Sequence, residues 1–327
     1  MTQMTYRRLG RSGLTVSTVG LGCNNFGMRI DAQGTRAVVD AALDAGITLF
    51  DTSDSYGTSE ELLGEALGKR RGDIILATKF GSDLKGDNGA DWGARGSRRY
   101  IRRAIERSLR RLRTDWIDLY QLHWPDPATP LEETLSALTE LVREGKVRYI
   151  GSSNLKGWQV TEAEWLSRTR GMERFISAQN EYSLIGRGVE EDLVPALQEH
   201  GIGLLPYFPL ASGLLTGKYQ RGAKAGENTR VKQWNMGGLL ADKVFDAIEK
   251  LETFAKERSL SLLDVAMGGL AARPTVASVI AGATSAEQVR ANAKAGLWTP
   301  RPEDTAALEA LLPKGRGISV NDVLRGE

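Results

Sequence analysis

Along the chain, short apolar runs alternate with longer segments in which apolar positions recur every three or four residues. The runs read as buried strands near 19–21, 48–50, 74–78, 117–122, 147–151, 175–179, 202–206 and 276–280. The periodic segments read as helices around 35–45, 59–69, 98–112, 131–144, 157–168, 188–199 and 241–258, with another at 285–295 after the last strand. Parallel strands need crossover connections, and eight strand–helix units in one chain can close into a (β/α)8 TIM barrel. An open doubly wound sheet is the competing arrangement, but no Pro/Gly/Ser-rich seam divides the chain into halves. A single α/β barrel domain over 1–327 is therefore expected. Residues 6–16, two apolar segments around a Gly-containing turn, predict an N-terminal β-hairpin before the first barrel strand. Residues 207–240 form the longest irregular connection, and loops of that length are usually functional.

Composition adds mainly exclusions. A formal net charge of +2 gives no reason to expect a nucleic-acid or membrane partner. Cys23 is the only cysteine, which rules out an intramolecular disulfide and suits a reducing cytosol. With His123 and His200 the only histidines, no metal site is expected. Residues 1–14 carry no apolar signal core and no long uncharged apolar span follows, so the expected location is cytoplasmic. Oligomeric state has no signature in the pattern.

Two motifs mislead. GlyLeuGlyCysAsnAsn at 20–25 approaches the dinucleotide fingerprint, but Asn25 replaces the third glycine and the next helix begins only near Thr35. That fingerprint needs the helix to start at the glycines, because its N-terminus holds the pyrophosphate. The arginine-rich segment 97–113 resembles a nucleic-acid helix, yet Ile101, Ile105, Ser108, Leu109 and Leu112 keep one apolar stripe. Its arginines then fall on the outer face of a barrel helix.

Barrel active sites collect at the C-terminal ends of the strands. The polar residues there are Asp51 and Tyr56 after the second strand, Lys79 after the third and His123 after the fourth. Each has an ordinary structural explanation on its own, as a turn residue, a surface lysine or a core histidine. Together they form a coherent set. A tyrosine near its usual pKa of about 10 is a poor proton shuttle at neutral pH, and an adjacent ammonium favours the phenolate. A carboxylate keeps that ammonium charged, and a neighbouring histidine can donate a hydrogen bond to an oxygen gaining charge. Such machinery suits interconversion of a carbonyl and an alcohol.

The motifs DTSDSYG, ATKFG, DLYQLHWPDP, GSSN and PLASGLLTGKY resemble those of the aldo-keto reductase superfamily, in the same order and over nearly the whole chain. The resemblance implies a catalytic tetrad of Asp51, Tyr56, Lys79 and His123, with Tyr56 as general acid/base and hydride supplied by a nicotinamide. It also implies that Ser153, Asn154 and Gln179 contact the carboxamide and that Tyr207 stacks on the nicotinamide ring. A helix N-cap is the alternative reading of Ser153 and Asn154. Phe208 stands where many relatives have serine, leaving backbone amides of Leu210, Ser212 and Leu214 for the pyrophosphate. The segment 282–292 resembles the family's adenosine-phosphate region, implicating Gly282, Thr284, Ser285, Gln288 and Asn292. NADP is the implied cofactor. Gly282 and Gln288 replace the Lys and Arg that clamp the 2′-phosphate in some relatives, which leaves NAD use open. Arg230 in the long connection is a further candidate for that clamp. Trp124, Trp92, Phe26 and Met28 are candidates for lining an apolar substrate pocket.

The expected activity is thus NAD(P)H-dependent reduction of aldehydes or ketones, or its reverse, on a small-molecule substrate. The alternative is a cofactor-sensing regulatory or scaffold subunit similar to potassium-channel β subunits. A non-redox barrel isomerase or lyase leaves the SerSerAsn and Gln set unexplained.

Overall fold

The computed structural model describes residues 3–222, 226, 229–312 and 315–326. A hairpin of β1 (Tyr6–Arg8) and β2 (Thr15–Ser17) precedes the barrel, pairing antiparallel as the turn-flanked segments at 6–16 predict. The eight barrel strands are β3 (Val19–Gly22), β4 (Leu49–Asp51), β5 (Ile75–Phe80), β6 (Ile117–Leu122), β7 (Val147–Ser153), β8 (Phe175–Gln179), β9 (Gly203–Leu204) and β10 (Val279–Gly282). All pair in parallel, in the order β10-β3-β4-β5-β6-β7-β8-β9. The ring closes through the chain entering β10: Leu204 N donates to Thr275 O at 2.7 Å, Ala277 N to Leu204 O at 2.9 Å and Ile280 N to Pro206 O at 3.0 Å.

Two strands depart from expectation. The run at 202–206 shortens to two residues because Pro206 has no N–H for the ladder. The run at 276–280 shifts to Val279–Gly282, its first residues being used to close the ring.

The helices are α1 (Ala32–Asp44), α2 (Ser59–Leu67), α3 (Arg98–Leu112), α4 (Leu131–Arg143), α5 (Gly157–Arg170), α6 (Leu193–His200), α7 (Arg230–Gln233), α8 (Asp242–Glu257), α9 (Leu262–Ala271), α10 (Ala286–Ala295), α11 (Pro302–Leu311) and α12 (Val320–Arg325). The pattern at 188–199 resolves into a 3₁₀ turn, Gly188–Glu190, followed by α6. The connection 207–240 is more ordered than its composition suggests, holding α7 and 3₁₀ turns at Ala211–Thr216 and Gly237–Leu240. Its residues 223–225, 227 and 228 lie outside the described residues. Among the described residues no helix is long and apolar enough to cross a membrane.

Side chains alternate along the strands, so the core has two layers. Leu49, Ala77, Leu119, Ile176, Leu205, Ala277 and Ile280 fill the barrel axis, and Leu9, Leu14 and Val16 of the hairpin segment plug its N-terminal end. Gly10 at the hairpin turn has φ +59, and a Cβ there would lie 2.6 Å from Gly201 O, so only glycine permits this close seat. Outward residues such as Phe50, Leu76, Phe80 and Tyr120 pack beneath the helices. On α3 the buried stripe includes Ile101, Ile105, Ser108, Leu109 and Leu112, as predicted. Its arginines face outward and also bridge to neighbouring helices, Arg102 to Glu144 at 2.5 Å and Arg111 to Glu60 at 2.6 Å.

Candidate active site

Period-two alternation carries the inward row upward from the apolar layer. Two residues beyond Leu49, Ala77 and Leu119 come Asp51, Lys79 and Gln121, and the next inward position after β6 is His123. The axis thus changes from apolar to ionic within one step of the pleat.

Lys79 is fully buried, and its ammonium donates to Asp51 Oδ2 at 2.6 Å, to Thr52 O at 2.9 Å and, more weakly, to Tyr56 OH at 3.5 Å. Burial alone pulls an ammonium down, but Asp51 and then Tyr56 outweigh it and leave the Lys79 pKa raised. Asp51 Oδ1 accepts from Gln121 at 3.1 Å and from Gln179 at 2.9 Å, so both carboxylate oxygens are bonded. Gln121 is absent from the sequence-level candidates. Its place two residues before His123 on the same strand was the available signal.

Tyr56 follows β4, and its ring meets that of His123 edge-on at 5.8 Å. Its pKa is raised: burial is the leading cause, with Lys79 pulling down and Asp51 pushing up. This corrects the expectation that the ammonium would lower it, because removing the phenolate from water outweighs the attraction. His123 is buried, which drives its pKa well down, aided by Lys79, and the imidazole is neutral at physiological pH. Its Nδ1 lies 2.9 Å from Ser82 Oγ and 3.1 Å from Ser53 Oγ, and Trp124 stacks on the ring at 5.7 Å.

Ser153, Asn154, Gln179 and Tyr207 come together beside His123. Ser153 Oγ donates to Gln179 O at 2.7 Å; Asn154 Nδ2 donates to His123 O at 2.9 Å, and Asn154 Oδ1 accepts from Tyr207 OH at 2.7 Å. The N-cap of α5 is Lys156, so helix capping does not account for Ser153 or Asn154. The Gln179 amide N–H groups serve Asp51 and Gln121, which leaves Oε1 as its acceptor toward any added group. Tyr207 OH also accepts from Asn321 Nδ2 at 2.6 Å, bringing α12 to the site. The sequence reading did not reach α12, although Ser319 three residues before Asp322 is a recognisable start signal.

A second group lies where the long connection meets the end of β3. Phe208, Ala211 and Ser212 have φ of 51, 44 and 59, a strained left-handed run that turns the chain through Leu210 and Leu214. Arg230 donates to Asn25 Oδ1 at 2.9 Å and lies over the Trp234 ring at 4.8 Å, while its Nε is buried without a hydrogen-bond partner among the described residues. Burial and then Arg29 pull its pKa down to about 10, and Lys218 is lowered by burial, Arg29 and Arg230. Arg29 and Lys218 are exposed and Arg230 is half-buried, and an anion among them would relieve their mutual repulsion. Lys218 was not among the sequence-level candidates. Beside them Asn24, Asn25, Met28, Arg29, Gln233 and Trp234 line a cleft of about 390 Å³. Asn25 Nδ2 reaches Ala283 O at 3.1 Å, joining this cleft to the segment after β10. There Ser285 caps α10, Gln288 Oε1 accepts from Thr284 N at 2.8 Å, Gly282 is exposed and Asn292 is buried.

Of the apolar candidates, Met28 lines this cleft, Trp124 is partly exposed where it stacks on His123, and Trp92 is 78% exposed with Arg99 over its ring. Phe26 is fully buried in the core, which corrects its assignment to the pocket.

The model of the Aldo/keto reductase family matches residues 18–313. Among curated relatives, the chain is 37% identical to the uncharacterized oxidoreductase YrpG of Bacillus subtilis (strain 168) over 302 residues, 89% of this chain and 91% of that protein. It is 37% identical to a probable voltage-gated potassium channel subunit beta of Arabidopsis thaliana, with the same coverage of 89% and 91%. It is 34% identical to the L-glyceraldehyde 3-phosphate reductase of Escherichia coli (strain K12), over 90% of this chain and 88% of that protein.

Proposed function

The chain belongs to the aldo/keto reductase family, and on that premise we propose that it reduces aldehydes or ketones to alcohols, with Tyr56 as general acid. The observation that carries this reading is the buried line from Asp51 through Lys79 to the Tyr56 hydroxyl, beside a neutral His123. The line has no packing advantage over apolar side chains, since burying an ion pair roughly cancels its attraction.

A reduced nicotinamide dinucleotide, when bound, supplies the hydride. Ser153, Asn154 and Gln179 Oε1 would hold its carboxamide and Tyr207 would face its ring. Lys218 and Arg230, with backbone from Leu210, Ser212 and Leu214, would hold its phosphates. Gly282, Thr284, Ser285, Gln288 and Asn292 would hold its adenosine end. With neutral side chains at 282 and 288, Thr284, Ser285 and backbone amides would hold the 2′-phosphate, so NADP is favoured over NAD by a smaller margin than a charged clamp gives.

As the carbonyl oxygen gains charge it takes a proton from Tyr56 and a hydrogen bond from His123. Burial keeps Tyr56 protonated in the resting site and makes it a weaker acid, and Lys79, which pulls its pKa back down, offsets part of that cost when the proton leaves. Lys79 stabilises the phenolate left behind, and Asp51 keeps Lys79 charged and aimed.

The similarity to potassium-channel β subunits supports a second reading, a redox-sensing regulatory subunit with slow turnover. Following NADPH and NADH absorbance with a panel of aldehydes and ketones separates the two. Substrate-dependent oxidation with multiple turnovers supports the enzyme. Tight nucleotide binding with none across the panel supports the sensor.

A further inference from the structure

His123 Nδ1 faces two hydroxyls, Ser82 Oγ at 2.9 Å and Ser53 Oγ at 3.1 Å. A neutral imidazole carries one proton on one of its two nitrogens. If Nδ1 accepts from a hydroxyl, the ring proton sits on Nε2; if Nδ1 donates, Nε2 is bare. Only the first arrangement presents an N–H to a substrate oxygen.

The ring itself is well held. Trp124 stacks on it at 5.7 Å, the Tyr56 ring meets it edge-on, and His123 N bonds to Phe80 O at 2.8 Å. What the surroundings still have to set is the proton's position. Ser53 is a contested donor: its oxygen accepts from Ser55 N at 3.2 Å, while Ser55 Oγ at 2.9 Å and Asp54 Oδ1 at 3.4 Å compete for its hydrogen. Ser82 Oγ has His123 Nδ1 as its side-chain partner among the described residues, and Tyr100 OH anchors the Ser82 carbonyl at 3.3 Å.

We propose that Ser82 is a positioning residue whose hydroxyl donates to His123 Nδ1 and so keeps the ring proton on Nε2, directed at the substrate. The catalytic value of this arrangement rests on the reductase reading, but the proton's position in the resting protein does not. It also explains why the loop after β5 carries a half-buried serine at 82.

Only His123 and His200 contribute histidine signals, so ¹⁵N-histidine labelling with two-bond ¹H–¹⁵N correlation reads the tautomer directly. The expected wild-type spectrum shows His123 with Nδ1 unprotonated and Nε2 protonated. Ser82→Ala shifts both nitrogens toward a mixed tautomer, Ser82→Thr restores them, and Ser53→Ala leaves them in place. In turnover, Ser82→Ala lowers kcat by about tenfold, the size of one net hydrogen bond, with KM little changed. Ser82→Thr recovers most of the loss and shows that the alanine effect is not misfolding. A proton on Nδ1 in the wild type, nitrogen signals unmoved in Ser82→Ala, or a shift in Ser53→Ala alone overturns the assignment. If the tautomer responds as expected but no carbonyl is turned over, Ser82 keeps its role in the resting protein and the reductase reading is what fails.

Discussion

Gln121 donates to Asp51 at 3.1 Å, on the oxygen that Lys79 does not use. The pair divides the work of a buried carboxylate, since Oδ2 meets the ammonium while Oδ1 is solvated by the Gln121 and Gln179 amides. A buried charge is tolerated only when its lone pairs are met in this way.

Replacing Gln121 with leucine should therefore destabilise the fold by about 1.5–3 kcal/mol, the usual worth of a hydrogen bond to a charged group. Urea unfolding of Gln121→Leu beside wild type measures it. Stability equal to wild type would mean that Gln179 alone satisfies Oδ1.

Changing Tyr56 to phenylalanine keeps the ring and removes the proton, and a positioned acid is typically worth ~10²–10⁴ in rate. Turnover should fall by that factor while nucleotide binding survives. Near-wild-type kcat, with hydride transfer shown to limit the wild type, would reject Tyr56 as the acid. Because His123 is held neutral well below its usual range, the wild-type kcat profile should show no step near pH 6.5.

Arg230→Leu removes a half-buried cation from the proposed phosphate site, and charge-assisted bonds contribute about 1.5–3 kcal/mol each. Fluorescence titration should show NADP binding weakened by ~10–100-fold. Gln288→Arg should raise the NADP-to-NAD affinity ratio, less so if losing the Gln288 bond to Thr284 disorders the loop. Unchanged nucleotide affinity in Arg230→Leu would move the phosphates elsewhere.

Asp54 gives a pH signature of stability. Burial, followed by the nearby Glu60 charge, pushes its carboxyl up to about 7. The unfolded chain releases this proton near 4 and the folded chain holds it until about 7, so the native state binds more protons in between and stability falls as pH rises through that window. Below pH 4 the group contributes nothing, and above 7 its penalty is constant at roughly 4 kcal/mol or less. Asp54→Asn should remove that decline, gaining stability relative to wild type at pH 8 but not at pH 4. Parallel urea curves for the two proteins across pH 4–8 would contradict it.

Much of this molecule is legible from one chain. Strands with inward and outward alternation, amphipathic helices and polar residues at strand ends are local patterns, and local sterics and burial enforce them directly. Asp51, Tyr56, Lys79 and His123 could be picked out because a barrel sends every strand's C-terminal end to the same face. Helix α9 was not visible, since Leu262–Ala271 is buried over most of its surface and uniform apolarity carries no period. Helices α11 and α12 were missed despite start signals at Pro302 and Ser319. Other features depend on distant segments meeting: Gln121 and Gln179 on one carboxylate oxygen, Asn321 on Tyr207, Ser82 on His123, and Arg230 against Asn25. The direction of the Tyr56 shift belongs with these. It is the balance of an ammonium's attraction against lost water, and only burial in the folded barrel sets the second quantity.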